Sequence, residues 1–331
     1  MGAREKTDMS TILITGVAGF IGSHVAEKLL KSGCQVIGID NFNDFYDPEI
    51  KRKNVSAIRE TANRLGSLFT VLAGDILDQD FLGKVFAEQS IDAVVHLAAY
   101  AGVRPSIENP LLYLSVNING TVGILEQMQK HQVKRLVFAS SSSVYGNNRE
   151  VPFSEQDPVD QAISPYAATK KAAEILCYTY HHLYGINIAC VRYFTAYGAR
   201  QRPDLAIHKF ARLMAAGKPV PMYGDGSMAR DYTYIDDIVD GTWKALLWTR
   251  EGHRYDIFNL GNNVAVRLDD LINMLACALQ KDPIIKHLPE QPGDVQITCA
   301  DISHARAVLG YQPQVGIQDG LKRFAEWFNS Y

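Results

Sequence analysis

The sequence predicts an α/β protein: a doubly wound parallel sheet with a smaller, mixed C-terminal domain. Three observations carry that prediction. Short β-branched runs alternate with longer amphipathic segments from Thr11 onward. A glycine-rich turn joins the first run to the first amphipathic segment. After Tyr197 the alternation gives way to closely spaced Pro203, Gly217, Pro219, Pro221, Gly224 and Gly226.

Thr11–Thr15 is short and apolar and reads as the first strand, followed by the turn and a helical stretch at Phe20–Lys31. Gln35–Asp40 reads as the second strand, 67–73 the third, 93–97 the fourth and 135–140 the fifth. Helical periodicity fills much of the sequence between them, notably 78–88 and 111–130. A βαβαβ series of this kind implies a parallel sheet with crossover helices on both faces. A further helix at 166–184 leads into a strand at 187–194, and helical pattern returns at Leu268–Leu279 and 318–329. The proline- and glycine-rich stretch after Tyr197 reads as looped, ligand-contacting architecture.

Composition narrows the function. At 331 residues, 47% hydrophobic and 21% charged, the chain is long enough for one large α/β domain with a companion. A net charge of −3 supplies no global field for nucleic acid or an anionic membrane, so phosphate on any ligand must be held by local groups. Neither class of partner is expected, and no stretch approaches the roughly 20 apolar residues of a membrane span. Cys34, Cys177, Cys190, Cys277 and Cys299 are odd in number and lack C-x-x-C spacing, which favours buried free thiols in a reducing, cytoplasmic setting. Residues 1–9 read as a flexible tail, with Met9 a candidate initiator, and Asn54-Val55-Ser56 and Asn119-Gly120-Thr121 as chance glycosylation matches. Adjacent His181 and His182 cannot share a helical face, and His96, His208 and His304 lack ligand spacing, so no metal site is expected.

Gly16-Val17-Ala18-Gly19-Phe20-Ile21-Gly22 lies between the first strand and the first helix. Glycines there allow a tight turn, close approach of backbone to a pyrophosphate, and close helix–strand packing. The helix N-terminus adds free N–H groups and a favourable dipole. Asp40 ends the second strand, 18 residues after Gly22, where its carboxylate can accept from the adenosine ribose hydroxyls. An acid there repels a 2′-phosphate, so NAD is expected over NADP. Asp75 could hold the adenine amino group or cap the helix that begins near Asp78. The sheet is therefore expected to be Rossmann-type.

Tyr166-Ala167-Ala168-Thr169-Lys170 follows a serine run, Ser140 to Ser143, at the end of the fifth strand. Residues four apart share a helical face, so Lys170 can stand beside the Tyr166 phenol. A nearby ammonium and a nicotinamide cation both favour phenolate and suit Tyr166 to acid/base work. A serine hydroxyl can bond the reacting oxygen and relay its proton.

On these motifs the chain resembles the extended short-chain dehydrogenases/reductases, with G-x-x-G-x-x-G at Gly16–Gly22 and Y-x-x-x-K at Tyr166–Lys170. The resemblance implies Ser141 as the third catalytic residue. His96-Leu97-Ala98-Ala99 is similar to the family's cofactor-lining fourth-strand segment. Cofactor contacts are implied from Gly16, Gly19, Phe20, Ile21, Gly22, Asp40, Asn41, Asp75, Ile76, Leu97, Ala98, Ala99, Ser140, Tyr166, Lys170 and Tyr193. Arg230-Asp231-Tyr232 looks like a phosphate-contact motif and Tyr234-Ile235-Asp236-Asp237 like a return to the first domain. That implies an NAD-binding domain of 10–195 plus 236–261 and a UDP-sugar-binding domain of 196–235 plus 262–331. The family's dimers pair the helices corresponding to 111–128 and 175–184, so a homodimer is expected, although the apolar positions there could equally be core stripes.

Within that family the chain is most similar to the UDP-glucuronate 4-epimerases, on Asp40-Asn41-Phe42-Asn43-Asp44-Phe45-Tyr46-Asp47, Ala101-Gly102-Val103-Arg104, Gln201-Arg202-Pro203-Asp204 and Gln291-Pro292-Gly293-Asp294. The Thr-Asp-Glu triplet of nucleotide-sugar dehydratases is replaced by Ser141-Ser142-Ser143, which leaves water elimination without an evident acid and base. Thr195 and Gln291 replace the Asn and Arg usual in UDP-glucose epimerases. A sugar carboxylate needs charge-assisted hydrogen bonds once desolvated. Arg202, Thr195 and Ser142 are expected to supply them, with Arg104 a further candidate. Ser141, Ser143, Tyr223, Arg230 and Asp294 complete the implied substrate contacts. The resemblance thus implies conversion of UDP-glucuronate to UDP-galacturonate through a 4-keto sugar. Open alternatives are a UDP-glucose or UDP-N-acetylglucosamine 4-epimerase, a UDP-glucuronate decarboxylase, and a non-catalytic NAD-binding scaffold.

Overall fold

β-Branched and small residues that alternate with helical stretches fold here into a parallel sheet whose C-terminal strand ends share one edge. The structure is a computed structural model that describes residues 10–289 and 295–330. In chain order its elements are β1 (Thr11–Thr15), α1 (Phe20–Lys31), β2 (Gln35–Asp40), α2 (Pro48–Leu65), β3 (Phe69–Ala73), α3 (Gln79–Glu88), β4 (Ala93–His96), α4 (Val103–Glu108) and α5 (Pro110–Tyr113). A π-helical turn (Leu114–Asn119) and α6 (Gly120–Lys130) follow, then β5 (Arg135–Ser141), a 3₁₀ turn (Ser142–Tyr145), α7 (Pro165–Tyr184), β6 (Asn187–Tyr193) and β7 (Thr195–Tyr197). The rest comprises α8 (Ala206–Ala215), β8 (Val220–Tyr223), β9 (Ala229–Tyr234), α9 (Ile235–Trp248), β10 (Tyr255–Leu260), β11 (Ala265–Arg267), α10 (Leu268–Leu279), β12 (Ile285–Leu288), α11 (Ser303–Leu309) and α12 (Ile317–Ser330).

Seven strands form one parallel sheet in the order β10-β6-β5-β4-β1-β2-β3. The order reverses between β1 and β4, which opens a crevice at the strand ends where ligands bind in such sheets. Helices α1, α2 and α9 pack together on one face, and α3, α6 and α7 on the other. Each face has its own apolar core, one including Ile12, Ile14, Val25, Leu29 and Ile238, the other Leu13, Leu82, Val85, Leu125 and Cys177. The central strands are buried on both sides, which is why they read as continuous apolar runs. Smaller sheets, β11-β9-β7 and β12-β8, stand apart from the main one.

Two expectations change. The helix expected at 111–130 is realised in three pieces, because Pro110 opens a short helix and a π-helical turn precedes α6. Within that turn Asn117 accepts from the Tyr100 backbone N–H (2.9 Å) and donates to its carbonyl (3.0 Å), which ties the turn to the segment after β4. The stretch after Tyr197 is more regular than expected. Its glycines sit at the turns, with Gly217 closing α8 in the left-handed region (φ 61°). Pro221 is accommodated in β8, which pairs with β12 alone. Asp231 on β9 ties this region together by accepting from the N–H groups of Asn262 (2.7 Å), Asn263 (2.9 Å) and Ala300 (3.0 Å). All five cysteines are free; Cys34, Cys177 and Cys190 are buried as expected, whereas Cys277 is exposed. Among the described residues no helix is long and apolar enough to cross a membrane.

Candidate active site

The glycine turn is built for close approach. Gly16 has φ 72°, and a Cβ there would lie 2.9 Å from the Ala98 nitrogen; a Cβ on Gly22 would lie 2.1 Å from the Gly16 carbonyl oxygen. Gly19 caps α1 with no side-chain hydrogen bond, so the helix's first N–H groups remain available to an anion. Asp40, nearly buried, accepts from the Ala18 N–H (3.1 Å) and the Phe42 N–H (2.9 Å), so it fixes the turn as well as facing the cavity. Burial raises its carboxyl pKa, and the Lys51 ammonium 3.9 Å away opposes the rise. Asp75 accepts from Asn41 Nδ2 (2.8 Å) and the Leu77 N–H (2.9 Å), while Asp78 itself caps α3. A backbone cradle with no room for side chains, beside two strand-end carboxylates, fits an adenine dinucleotide.

These groups line a cavity of about 380 Å³ over the crevice. Its walls include Gly16, Gly19, Phe20, Ile21, Gly22, Asp40, Asn41, Asp75, Ile76, Leu97, Ala98 and Ala99. Farther along they include Ser140 to Ser143, Tyr166, Lys170, Tyr193, Thr195 and Arg202. The expected cofactor and catalytic residues are therefore brought together.

Ser164 caps α7 by accepting from the Ala167 N–H (3.1 Å), and Pro165 opens the helix, which sets Tyr166 in its first turn. The Ser141 hydroxyl donates to Ser143 Oγ (3.1 Å), accepts from the Ser143 N–H (3.1 Å) and lies close enough to Tyr166 to lower its phenol. Burial raises the Tyr166 phenol above its ordinary value, and the Ser141 hydroxyl and the Arg202 charge oppose the rise. Lys170 donates to the Ala139 carbonyl (2.7 Å) and lies over the Phe138 ring (5.1 Å), and burial lowers its ammonium to about 8. The Arg202 guanidinium adds a second positive charge on the same cavity, and its charge lowers the phenol.

Two lining hydroxyls are already engaged. Ser140 donates to Glu174 (2.6 Å), and Tyr193 shares a 2.8 Å hydrogen bond with Thr242. Glu174, one turn beyond Lys170, is also gripped by the buried Arg192 through two 2.9 Å bonds. These bonds hold the Glu174 carboxyl below its ordinary value despite burial. Arg192 in turn donates to the Tyr145 hydroxyl (3.0 Å), which donates to Asn259 (2.7 Å). The network joins β5, β6, β10 and α7 directly behind the serine run.

Arg202 lies against the Phe45 ring (5.0 Å from guanidinium carbon to centroid) and donates to Asp204 through Nε (3.0 Å) and Nη2 (2.7 Å). Of the other expected substrate residues, Ser142, Ser143 and Thr195 share its cavity, whereas Arg104, Tyr223 and Arg230 do not line it. Arg104 stacks on Tyr223 (4.7 Å), which bridges α4 and β8, and Arg230 donates to the Ala229 carbonyl (2.9 Å). Asp294 lies outside the described residues. Sequence reasoning assigned no role to Phe45, Tyr46, Lys51 or Tyr100, which also line the cavity. The segment from Asp40 to Asp47 stood out, yet nothing in one sequence shows Phe45 reaching Arg202.

A family model described as GDP-mannose 4,6 dehydratase matches residues 13–324. A UDP-glucuronate 4-epimerase of Thermodesulfobacterium geofontis is 45% identical over 320 residues, 96% of this chain and 96% of that protein. UDP-glucuronate 4-epimerase 4 of Arabidopsis thaliana is 44% identical over 348 residues, 99% of this chain and 78% of its own length. Among solved structures, the UDP-glucuronic acid 4-epimerase of Bacillus cereus in complex with UDP-glucuronic acid and NAD matches with a TM-score of 0.88. It is 37% identical, and the match covers 97% of this chain and 99% of that one. The chain belongs to the GDP-mannose 4,6 dehydratase family, within the extended short-chain dehydrogenases/reductases.

Proposed function

We propose that the protein is a UDP-glucuronate 4-epimerase that interconverts UDP-glucuronate and UDP-galacturonate with NAD as its cofactor. The observation that carries this reading is the juxtaposition of Tyr166 and Ser141 with the Arg202 guanidinium in one cavity above the glycine cradle. Relatives named UDP-glucuronate 4-epimerase, and a solved structure of one with UDP-glucuronic acid and NAD, support it. Dehydration is disfavoured because Ser142 and Ser143 provide no acid and base for water loss.

The glycine turn, Asp40 and Asp75 would hold NAD, which when bound supplies a hydride acceptor and donor for C4. Tyr166 takes the C4 hydroxyl proton, and Ser141 shares the hydrogen bond that carries it. Lys170, anchored on Ala139, keeps a positive charge beneath the site. The 4-keto sugar turns its other face toward the nicotinamide end of the cavity, and Tyr166 returns the proton to the opposite epimer. No net redox change results. This keto sugar is a β-keto acid, prone to lose CO₂ when its carboxylate aligns with the carbonyl. Arg202, Ser142 and Thr195 hold the carboxylate out of that alignment, so the same groups govern affinity and outcome. Ser143 completes this wall, while Arg104, Tyr223, Arg230 and Asp294 serve the UDP end.

The NAD-binding part comprises 10–195 plus 236–261 and the sugar-binding part 196–235 plus 262–331. A homodimer fits the exposed apolar row of Ile107, Leu111, Leu114, Ile175, Tyr178 and Leu183, since α7 packs beside the segment that contains the first three. Tyr113, Val116, Ile124, Leu125 and Met128 of the 111–128 stretch are instead buried and serve the core. The free cysteines and this chemistry support a cytoplasmic setting. Incubation with UDP-glucuronate and NMR analysis should give UDP-galacturonate; UDP-xylose, or turnover of UDP-glucose alone, contradicts the reading. Tyr166→Phe should lower kcat by about 10²–10⁴ without loss of NAD.

A further inference from the structure

The loop between β7 and α8 holds Arg202 with little freedom. Gln201, buried beside it, donates to the Ala196 carbonyl (3.2 Å) and accepts from the His208 N–H (3.2 Å). Arg200 reaches Glu27 on α1 (2.7 Å). The Leu205 N–H donates to the Arg202 carbonyl (3.2 Å), closing a turn with Pro203 at its second position, where the ring's fixed φ is favoured. Asp204 is the third residue of that turn, and its carboxylate lies on the Nε–Nη2 edge of Arg202.

A carboxylate is therefore built into the rim of the cavity, on the arginine that lines it. The pair is unevenly buried: the Arg202 side chain is 16% exposed and that of Asp204 45%. Asp204 can turn into water at small cost, whereas the guanidinium is held by Phe45 and the loop. A carboxylate that comes to Arg202 must either share the guanidinium with Asp204, at a separation where the two anions repel, or displace it. Both routes weaken binding of an anionic sugar and leave a neutral one unaffected.

We propose that Asp204 is an affinity-tuning residue, an internal carboxylate that competes with the sugar carboxylate for Arg202. The competition keeps the clamp reversible, so that the 4-keto sugar can let go, turn and be gripped again. This inference rests on the carboxylate reading of Arg202 given above.

The test uses NAD-loaded Tyr166→Phe protein, in which turnover is slowed by the factor given above, titrated calorimetrically with UDP-glucuronate and UDP-glucose. Adding Asp204→Asn should lower the Kd for UDP-glucuronate about tenfold, with UDP-glucose changed by less than about twofold. In enzyme that retains Tyr166, Asp204→Asn should lower KM and kcat for the uronate together, a split that a merely structural role would not produce. Asp204→Ser should behave alike if the asparagine variant folds poorly. Unchanged or weakened uronate binding in both variants, with Arg202→Gln still weakening the uronate selectively, overturns the inference alone. Equal losses of both sugars on Arg202→Gln overturn the carboxylate reading, and this inference with it.

Discussion

Arg192 and Arg202 each take a carboxylate on the same Nε–Nη2 edge, at 2.9 and 2.9 Å from Glu174 in one pair and 3.0 and 2.7 Å from Asp204 in the other. Their surroundings differ. Glu174 and Arg192 are each 1% exposed, and Ser140 and Tyr145 take up further bonding capacity. The Arg202 pair stands at a cavity rim with Asp204 nearly half exposed. Equal geometry therefore has unequal consequences: the first pair is fixed by its desolvation, since breaking it strands a buried charge, and the second is open to exchange. One fastens the strand ends that carry the serine run; the other can trade partners with a ligand.

That contrast can be broken by mutation. Glu174→Gln should destabilise the fold by about 3–5 kcal/mol in denaturant titration, because it leaves Arg192 buried without its counter-charge. A loss below about 1 kcal/mol would place the buried pair in the same class as the open one. Arg202→Gln should weaken UDP-glucuronate about ten- to a hundredfold, the worth of a charge-assisted hydrogen bond, while Kd for UDP-glucose stays within about twofold. Equal losses for both sugars would remove the distinction drawn for Arg202.

Acid should act on the buried side of the molecule first. His96, wedged between Thr15 (2.6 Å) and Thr121 (3.1 Å), is lowered by burial to about 3. Its folded pKa is below its unfolded one, so its contribution is complete above about pH 6.5 and is lost as pH falls toward 3. Between pH 7 and pH 5 it should cost about 2 kcal/mol, and His96→Asn should flatten that slope. Glu174, also lowered, adds a loss as pH falls below its ordinary value of 4.5. The smallest effect is expected at Asp204, where Asn should change stability by less than about 1 kcal/mol, as for other partly exposed pairs.

Much of the fold was legible in sequence because burial leaves periodic traces. The strands β1 and β2 and helices α1 and α10 fall at their expected bounds. Gly16, Gly22, Tyr166 and Lys170 are likewise visible, since their chemistry depends on short spacings within one strand–turn–helix or one helical turn. Contacts between distant segments leave no such trace. Phe45 meets Arg202 across nearly half the chain, and Lys51 is drawn to Asp40 from a helix whose surface is otherwise largely polar. Desolvation is equally hidden: nothing in Y-x-x-x-K shows that burial raises the Tyr166 phenol or that Lys170 is tied to Ala139.

The central claim is that one tyrosine serves both faces of a sugar that gives up and regains its own C4 hydrogen. UDP-glucuronate deuterated at C4, incubated with the NAD-loaded enzyme in ordinary water, tests it most directly. Retention of the label at C4 of UDP-galacturonate is the expected result; washout of deuterium to solvent, or its appearance in UDP-xylose, would contradict it.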